Sequence, residues 1–559
     1  MENERQYIED IKERLQEMKT IRAKFEPSWT EVQQYIAPSI YSWSDRDAIP
    51  ETPKRFASTP CKYMKTLVSG IVGYSVSPSL KWFSLSLQDQ KVLSSGYKVK
   101  DWLEQCDETM VAEFNRSNLY KSVSGFIEDA MVLGHGVMLI DEDTENGKLR
   151  FTHQRASEIY LDVDAHGKID TVFREYRMNL RQIVQQFGEE ALCEKMRDDY
   201  KDPKKRSQRY GLLFCVYPRE EYNEELDDAK NKPYAAVYID LENNHILSES
   251  GYNEFPYAVY EFKQIPGYAY SESLSKDALP DVKFLNIAKE TSLKIAQTSA
   301  EPPMKASSHL KQISVVPRGL TLVEKPDDVL EPIKTGDNYP ITLEVIQQIE
   351  QTVKDWFNVD FFLMLERQEN KQMTATEVME RQGEKAAILA DLIVSLNEAL
   401  EQIIKRSFNI LLRDGRISDI PEAIQNNRAA IKIEYDGPLA QAQKKYYSTG
   451  TIQQAVQAAG MVMQIFPESG DYVDSDILIK KTMENTGMPE DVIREDRDVQ
   501  KIREQRAQQQ QQMLQAQQQA AVMNNLDLQK APEEGSILSD YINGTNGQLA
   551  AGIGGGSNE

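Results

Sequence analysis

Cysteine and histidine are scarce: four Cys and five His in 559 residues. Cys61, Cys106, Cys193 and Cys215 make no CxxC pair. That excludes a disulfide framework and a zinc site and points to a reducing compartment. No apolar run approaches the roughly 20 residues that a membrane-spanning helix needs; the longest are stretches such as Phe361-Phe362-Leu363-Met364-Leu365. The first residues, Met1-Glu2-Asn3-Glu4-Arg5, have no basic n-region and no apolar h-region, so neither secretion nor membrane attachment is expected. The phosphate-cradling loops GxxxxGK[ST] and GxGxxG are absent, as are GxSxG and HExxH. No enzyme, no cofactor and no metal are therefore expected. Basic residues are in deficit, 65 Lys+Arg against 88 Asp+Glu, a net charge of −23. A chain of that sign is not a general nucleic-acid coat.

What is present is enough apolar and aromatic content, 40% and 9%, to build several packed units. Ile8, Ile11, Leu15, Met18, Ile21 and Phe25 recur at helical spacing and predict a helix over 5–36, with Pro27 near a break. Helices follow over 62–77, 99–115 and 122–133. The period then changes to strands at 136–141, 149–152, 159–163 and 169–173, the last two joined by the turn Asp164-Ala165-His166-Gly167. A short helix runs from an Asn179 cap to Gly188. Strands at 212–217, 234–240, 245–250 and 257–262 complete a mixed α+β body.

Beyond Pro266-Gly267 the pattern is mainly helical. A helix over 277–299 carries Pro280 in its first turn and ends at Glu301-Pro302-Pro303. Small β segments at 313–316 and 320–323 precede a second helix over 342–357. A polar break at 366–372 leads to a capping box, Thr374 with Glu377, opening a helix of about forty residues that Gly415 stops. Gly383 is a kink site within it. A strand at 430–435, helices over 439–466 and 474–486, a Gln-rich helix from 491 and a Gly-rich tail follow.

Four constellations carry possible chemistry. Gly134-His135-Gly136 could present a reactive histidine, but a turn entering a strand accounts for it more simply. Asp141-Glu142-Asp143 has no further ligand spacing to make a cation site of it. Lys276, Lys283 and Lys294, seven and eleven residues apart, fall within about 20° of one another on a helix. They form either a solvated face or a column that touches a polyanion through screened Coulomb attraction. The loop Glu366-Arg367-Gln368-Glu369-Asn370-Lys371 is either an exposed connection or a projecting, movable element.

The order of elements resembles the head-to-tail connector, or portal, proteins of short-tailed bacteriophages over roughly Glu4 to Glu495. The likeness is carried by Trp356-Phe357-Asn358-Val359-Asp360-Phe361-Phe362, by Met373-Thr374-Ala375-Thr376-Glu377-Val378 with Arg381, by Phe408-Asn409-Ile410-Leu411, and by Ile433-Glu434-Tyr435-Asp436-Gly437-Pro438-Leu439-Ala440. Pro302-Pro303 agrees. One departure is Gly267-Tyr268-Ala269-Tyr270-Ser271-Glu272, where such proteins often carry a Tyr-Gly-Arg-type run.

The resemblance implies an α+β, mainly helical portal fold assembled as a ring, twelve subunits in the family, at one capsid vertex. It implies a wing (1–265), a first stem helix (266–302), a clip (303–340), a second stem helix (341–360), a tunnel loop (361–373), a long wing helix with its return strand (374–439), a crown (440–490), a Gln-rich C-terminal helix (491–525) and a flexible tail (526–559). Its implied partners are the same chain, double-stranded DNA passing through, major capsid and scaffolding proteins, a terminase packaging ATPase and a tail adaptor, with no membrane. The implied setting is the virion, after assembly in the host cytoplasm. Lys276, Lys283, Lys294, Arg367 and Lys371 are the expected channel contacts. A helical scaffold without a channel, and a nucleic-acid enzyme, are the other function classes.

Overall fold

The computed structural model describes residues 2–38, 55–87, 97–143, 146–223, 226, 228–300, 304–305, 331–332, 341–366, 389–418, 420–421, 431–441 and eleven positions between 499 and 513. The chain divides into two compact units, Met1–Gln453 and Gln454–Glu559. Of the second, the described residues are helical.

Three helices open the chain: α1 (Glu2–Arg22), α2 (Glu26–Tyr35) and α3 (Thr59–Ser75). The single helix expected over 5–36 is two. Pro27 lies in the first turn of α2, where its missing N–H costs nothing, and the chain turns at 23–25 before it. A strand not anticipated from the sequence, β1 (Phe83–Leu87), comes next, then α4 (Tyr97–Arg116) and α5 (Leu119–Leu133). Gly134 ends α5 at φ +96°. A Cβ there would sit 2.1 Å from the Ser271 carbonyl oxygen, so both the turn and the close approach require glycine.

Strands β2 (His135–Asp143) and β3 (Lys148–Gln154) pair with β9 (Tyr257–Glu261) in the order β3-β2-β9. Strands β4 (Ile159–Val163), β5 (Ile169–Asn179), β6 (Arg209–Pro218), β7 (Tyr234–Asp240) and β8 (His245–Tyr252) form an antiparallel meander in chain order. Between β5 and β6 lie α6 (Leu180–Phe187) and α7 (Glu194–Lys201). The expected Asn179 cap is a full capping box: Asn179 Oδ1 accepts from the Gln182 N–H at 2.9 Å, and Gln182 Oε1 accepts from the Asn179 N–H at 3.0 Å. One face of the meander is covered by α1, whose Ile8, Ile11, Leu15 and Met18 bury against Tyr160, Phe173, Leu213, Cys215 and Val237.

The rest of the unit shares one larger core. Into it run α8 (Leu274–Ala300), α9 (Ile341–Trp356), α10 (Val359–Glu366), α11 (Ala390–Arg413) and the last strand, β12 (Ile431–Tyr435), which pairs antiparallel with β1. A two-residue ladder of β10 (Met304–Lys305) with β11 (Glu331–Pro332) lies between α8 and α9. α8 starts at Leu274, so Pro280 stands inside the helix and not in its first turn. It is exposed, which leaves the Lys276 carbonyl it cannot bond open to water. Residues 361–366 of the expected loop are helical, because Phe361 and Phe362 bury in the core. The segments expected at 313–316, 320–323, 374–388 and 442–486 lie outside the described residues, as does the kink site Gly383.

Candidate functional site

α8 changes character along its length. Ser275, Ala278, Leu279, Val282, Leu285 and Asn286 are buried, and Asn286 Oδ1 accepts from the Phe56 N–H at 2.9 Å and the Ala57 N–H at 3.2 Å. From 287 to 300 no residue is buried. That half is held by α9, through the Lys289–Glu350 ion pair. Trp356 of α9 is half-exposed, and its Nε1 donates to Asp281 at 2.8 Å.

The face opposite the buried stripe is apolar. Pro280, Phe284, Ile287 and Thr291 occupy it, all exposed, with Phe284 53% and Ile287 58% accessible. At about 100° per residue the three lysines stand on one shoulder of that ridge, and Asp277 and Asp281 on the other. Two large apolar side chains so exposed, between a basic and an acidic shoulder, mark a surface that another protein face can cover.

Each lysine has a carboxylate. Lys276 pairs with Glu272 at 3.2 Å, Lys283 with Glu31 of α2 at 2.6 Å, and Lys294 with Glu290 at 2.7 Å. The hydrogen bond and charge of Lys276 hold the Glu272 carboxyl below its ordinary value. The column is therefore a line of ion pairs and not of bare ammonium groups. Exposed pairs of this kind add little stability, but they cancel most of the field a passing anion would meet. Glu272 and Glu290 were readable in sequence as partners four residues away. Glu31, 252 residues from Lys283, was not.

The remaining expected site residues are not brought to this column among the described residues. Glu366 is the last residue of α10. Arg367, Gln368, Glu369, Asn370 and Lys371, and the motif residues Met373, Thr374, Ala375, Thr376 and Glu377, lie outside them. What leads into that loop is packed tightly. Phe362 lies against Gly70 of α3, where a Cβ would meet its ring at 2.3 Å, and stacks on Tyr74 with ring centroids 6.3 Å apart.

His135 is fully buried between the Trp29 and Tyr270 rings, 5.1 Å from each. Burial pushes its pKa down to about 3, which keeps it neutral and structural. The Asp141-Glu142-Asp143 run sits at the end of β2, and Glu142 is occupied by Arg416 at 3.0 Å. Among the described residues no three His, Cys, Asp or Glu side chains gather in a metal-binding group. No helix among them is long and apolar enough to cross a membrane.

The profile of the family described as bacteriophage head to tail connecting protein matches residues 9–493. The portal protein of Salmonella phage epsilon15 is 30% identical over 517 residues, which cover 89% of this chain and 91% of the relative. A probable portal protein of Bordetella phage BPP-1 is 27% identical over 509 residues, 88% of this chain and 89% of that protein.

Proposed function

This chain belongs to the bacteriophage head to tail connecting proteins, and from that premise we propose that it assembles as a ring at one capsid vertex, through which double-stranded DNA passes during packaging and ejection. The observation that carries this is the near full-length likeness to a portal protein. The family's twelve subunits are the number to test first. Other expected partners are capsid and scaffolding proteins, a terminase ATPase and a tail adaptor, in the virion after assembly in the host cytoplasm. The work is passage and not catalysis, with the motive force supplied by that ATPase.

Two features support the reading physically. The ridge of Phe284 and Ile287, between the ion-paired lysines and the carboxylates of Asp277 and Asp281, suits a head-to-tail contact in which unlike faces of neighbouring copies meet and a rotation closes the ring. The neutralised lysine column suits a wall along which DNA slides, since few unpaired cations means few counterions released on contact and weak binding with a shallow salt dependence. On this reading α8 and α9 are the stem, 303–340 the clip, the loop from Arg367 through Lys371 reaches the bore, and the helix opening at Met373-Thr374-Ala375-Thr376-Glu377 crosses the wing.

Negative-stain images of the purified chain test it, with mass measured by light scattering. A ring with a central hole is expected. A monodisperse single chain, or a solid oligomer without a hole, overturns the channel.

A further inference from the structure

A strongly basic knob stands on this acidic protein, away from the lysine column. The turn from Pro203 to Arg209 is exposed at every residue and holds Lys204, Lys205, Arg206 and Arg209 with no carboxylate among them. The start of α6 is tied beside it: the Leu180 N–H donates to the Gln208 carbonyl at 3.0 Å, and the Arg181 N–H to that of Arg206 at 3.3 Å. Asn179 pairs in register with Arg209, and Arg177 with Gly211. Arg177 and Arg209 therefore share a face of the sheet. Six cations converge.

Of the carboxylates beneath, Asp198 is exposed and paired with Lys201 at 2.9 Å, and two others are drawn onto the turn. Asp199, buried, accepts from Lys205 and from Tyr210, each at 2.7 Å. Asp202 folds onto the Lys204 N–H at 3.0 Å. Arg206 is held over the Tyr200 ring, 4.8 Å from its centroid. Arg181 and Lys204, and Lys195 on the exposed side of α7, have no ion pair among the described residues.

We propose that this knob is a second contact for duplex DNA, outside the channel. The net charge of −23 does not forbid it. At about 0.1 M salt the Debye length is about 10 Å, so phosphates at the knob meet its cations and are screened from acids farther off. A duplex offers a charge every ~1.7 Å of its axis and needs only reach and positive charge from its partner. An acidic peptide, which Arg clusters also take, would find no open strand edge here, since β6 lies between β5 and β7. The choice of DNA as the polyanion rests on the reading of DNA as cargo.

Covalently closed circular plasmid tests the knob directly, because it cannot thread a ring. The full-length assembled protein should retain the plasmid at 50 mM salt and release it by 200 mM. The variant R181Q/K195Q/K204Q should bind at least tenfold more weakly at 50 mM, with a salt slope lower by about 2.7, near 0.9 for each lost phosphate contact. The matched variant K62Q/K100Q/K121Q, exposed elsewhere, should leave both unchanged. Absence of plasmid binding by the unaltered protein at 50 mM overturns the proposal, as does equal behaviour of the two variants. Binding of polyglutamate but not plasmid, through the same three residues, overturns it in favour of an acidic protein. Ring formation, read separately by mass and imaging, reports on the channel, so either idea can fail without the other.

Discussion

The side-chain amide of Gln402 closes the edge of β9 at Val259. Its Oε1 accepts from the Val259 N–H at 2.9 Å and its Nε2 donates to the Val259 carbonyl at 3.2 Å. The opposite edge of the same sheet is closed in kind. Asn118 accepts from the Phe151 N–H at 2.9 Å and donates to the Phe151 carbonyl at 2.6 Å. Two amides thus stand in for missing strands, one from α11 and one from the α4–α5 junction, which blunts both edges against pairing with another chain. Gln402→Met leaves a part-buried N–H and carbonyl without partners, at about 1–3 kcal/mol for each. Hydrogen exchange should find the Val259 amide deprotected and that of Phe151 unchanged; Asn118→Leu should give the reverse. Equal protection at Val259 in the wild type and Gln402→Met would dismiss the edge-closing role.

His135 and Glu261, cross-strand partners in β2 and β9, impose opposite pH dependences. Burial lowers the His135 pKa to about 3. The unfolded chain, with an ordinary imidazole, then binds more protons below about 6.5. This contribution is intact above pH 6.5 and declines by about 1.4 kcal/mol per pH unit as pH falls toward 3. Burial raises the Glu261 pKa to about 7, with Glu398 adding to the rise and the Ser271 hydroxyl opposing it. Here the folded chain binds the extra proton. The contribution is intact below the ordinary carboxylate value and lost as pH rises through about 7. Thermal melts across pH 4–9 should find that His135→Phe flattens the acid limb and Glu261→Gln the limb between about 4.5 and 7. Either variant tracking the wild type across its own limb would remove that residue from the account.

Gly70 and Phe362 form a lock between α3 and α10. An alanine Cβ at 70 would lie 2.3 Å from the Phe362 ring, so Gly70→Ala must displace a buried aromatic and should cost about 1–3 kcal/mol. Phe362→Leu should relieve the clash, making the double variant more stable than Gly70→Ala alone. A double-mutant cycle of chemical denaturation measures the coupling, and additive single effects would disprove it.

Much of this fold was legible because its signals were local. Asn179 and Gly188 bracket α6 as their chemistry demands, and strand β7 spans Tyr234–Asp240 as expected. β1 was missed although Phe83, Leu85 and Leu87 alternate with serines, because its partner β12 is more than 300 residues on. α7 was missed because its eight residues hold few apolar side chains, with Met196 turned inward. The Lys276 column was legible as spacing and not as electrostatics, since Glu31 reaches Lys283 only through tertiary packing. The sequence Pro203-Lys204-Lys205-Arg206 announces charge, but the fold alone brings Arg177 and Arg181 beside it.

The exposed ridge of α8 predicts an assembly defect without a folding defect. Phe284 and Ile287 point away from the buried stripe of their helix, so F284E/I287E should keep the thermal transition of the isolated chain while removing the apolar contact a neighbour would bury. Light scattering should report single chains or small fragments where the wild type forms a closed oligomer. An unchanged mass would take the ridge out of the interface.

The ion-paired lysines predict an asymmetry between removing one charge and removing both. K276Q/K283Q/K294Q does not just delete three cations: it strips Glu31 and Glu290 of their partners, leaves Glu272 to Lys263 alone at 3.6 Å, and makes the column three charges more negative per subunit. If this column lines the bore, repulsion of the duplex should lower packaged DNA and speed its loss from filled heads, most strongly at low salt, where the Debye length is greatest. Adding E31Q, E272Q and E290Q restores neutrality and should bring DNA content back toward the wild type, although six side chains then differ. Ring mass should be the same in all three proteins. Genome length in purified particles, measured at two ionic strengths, decides it: a six-fold variant no better than the triple would mean that these lysines act through something other than the charge of the wall.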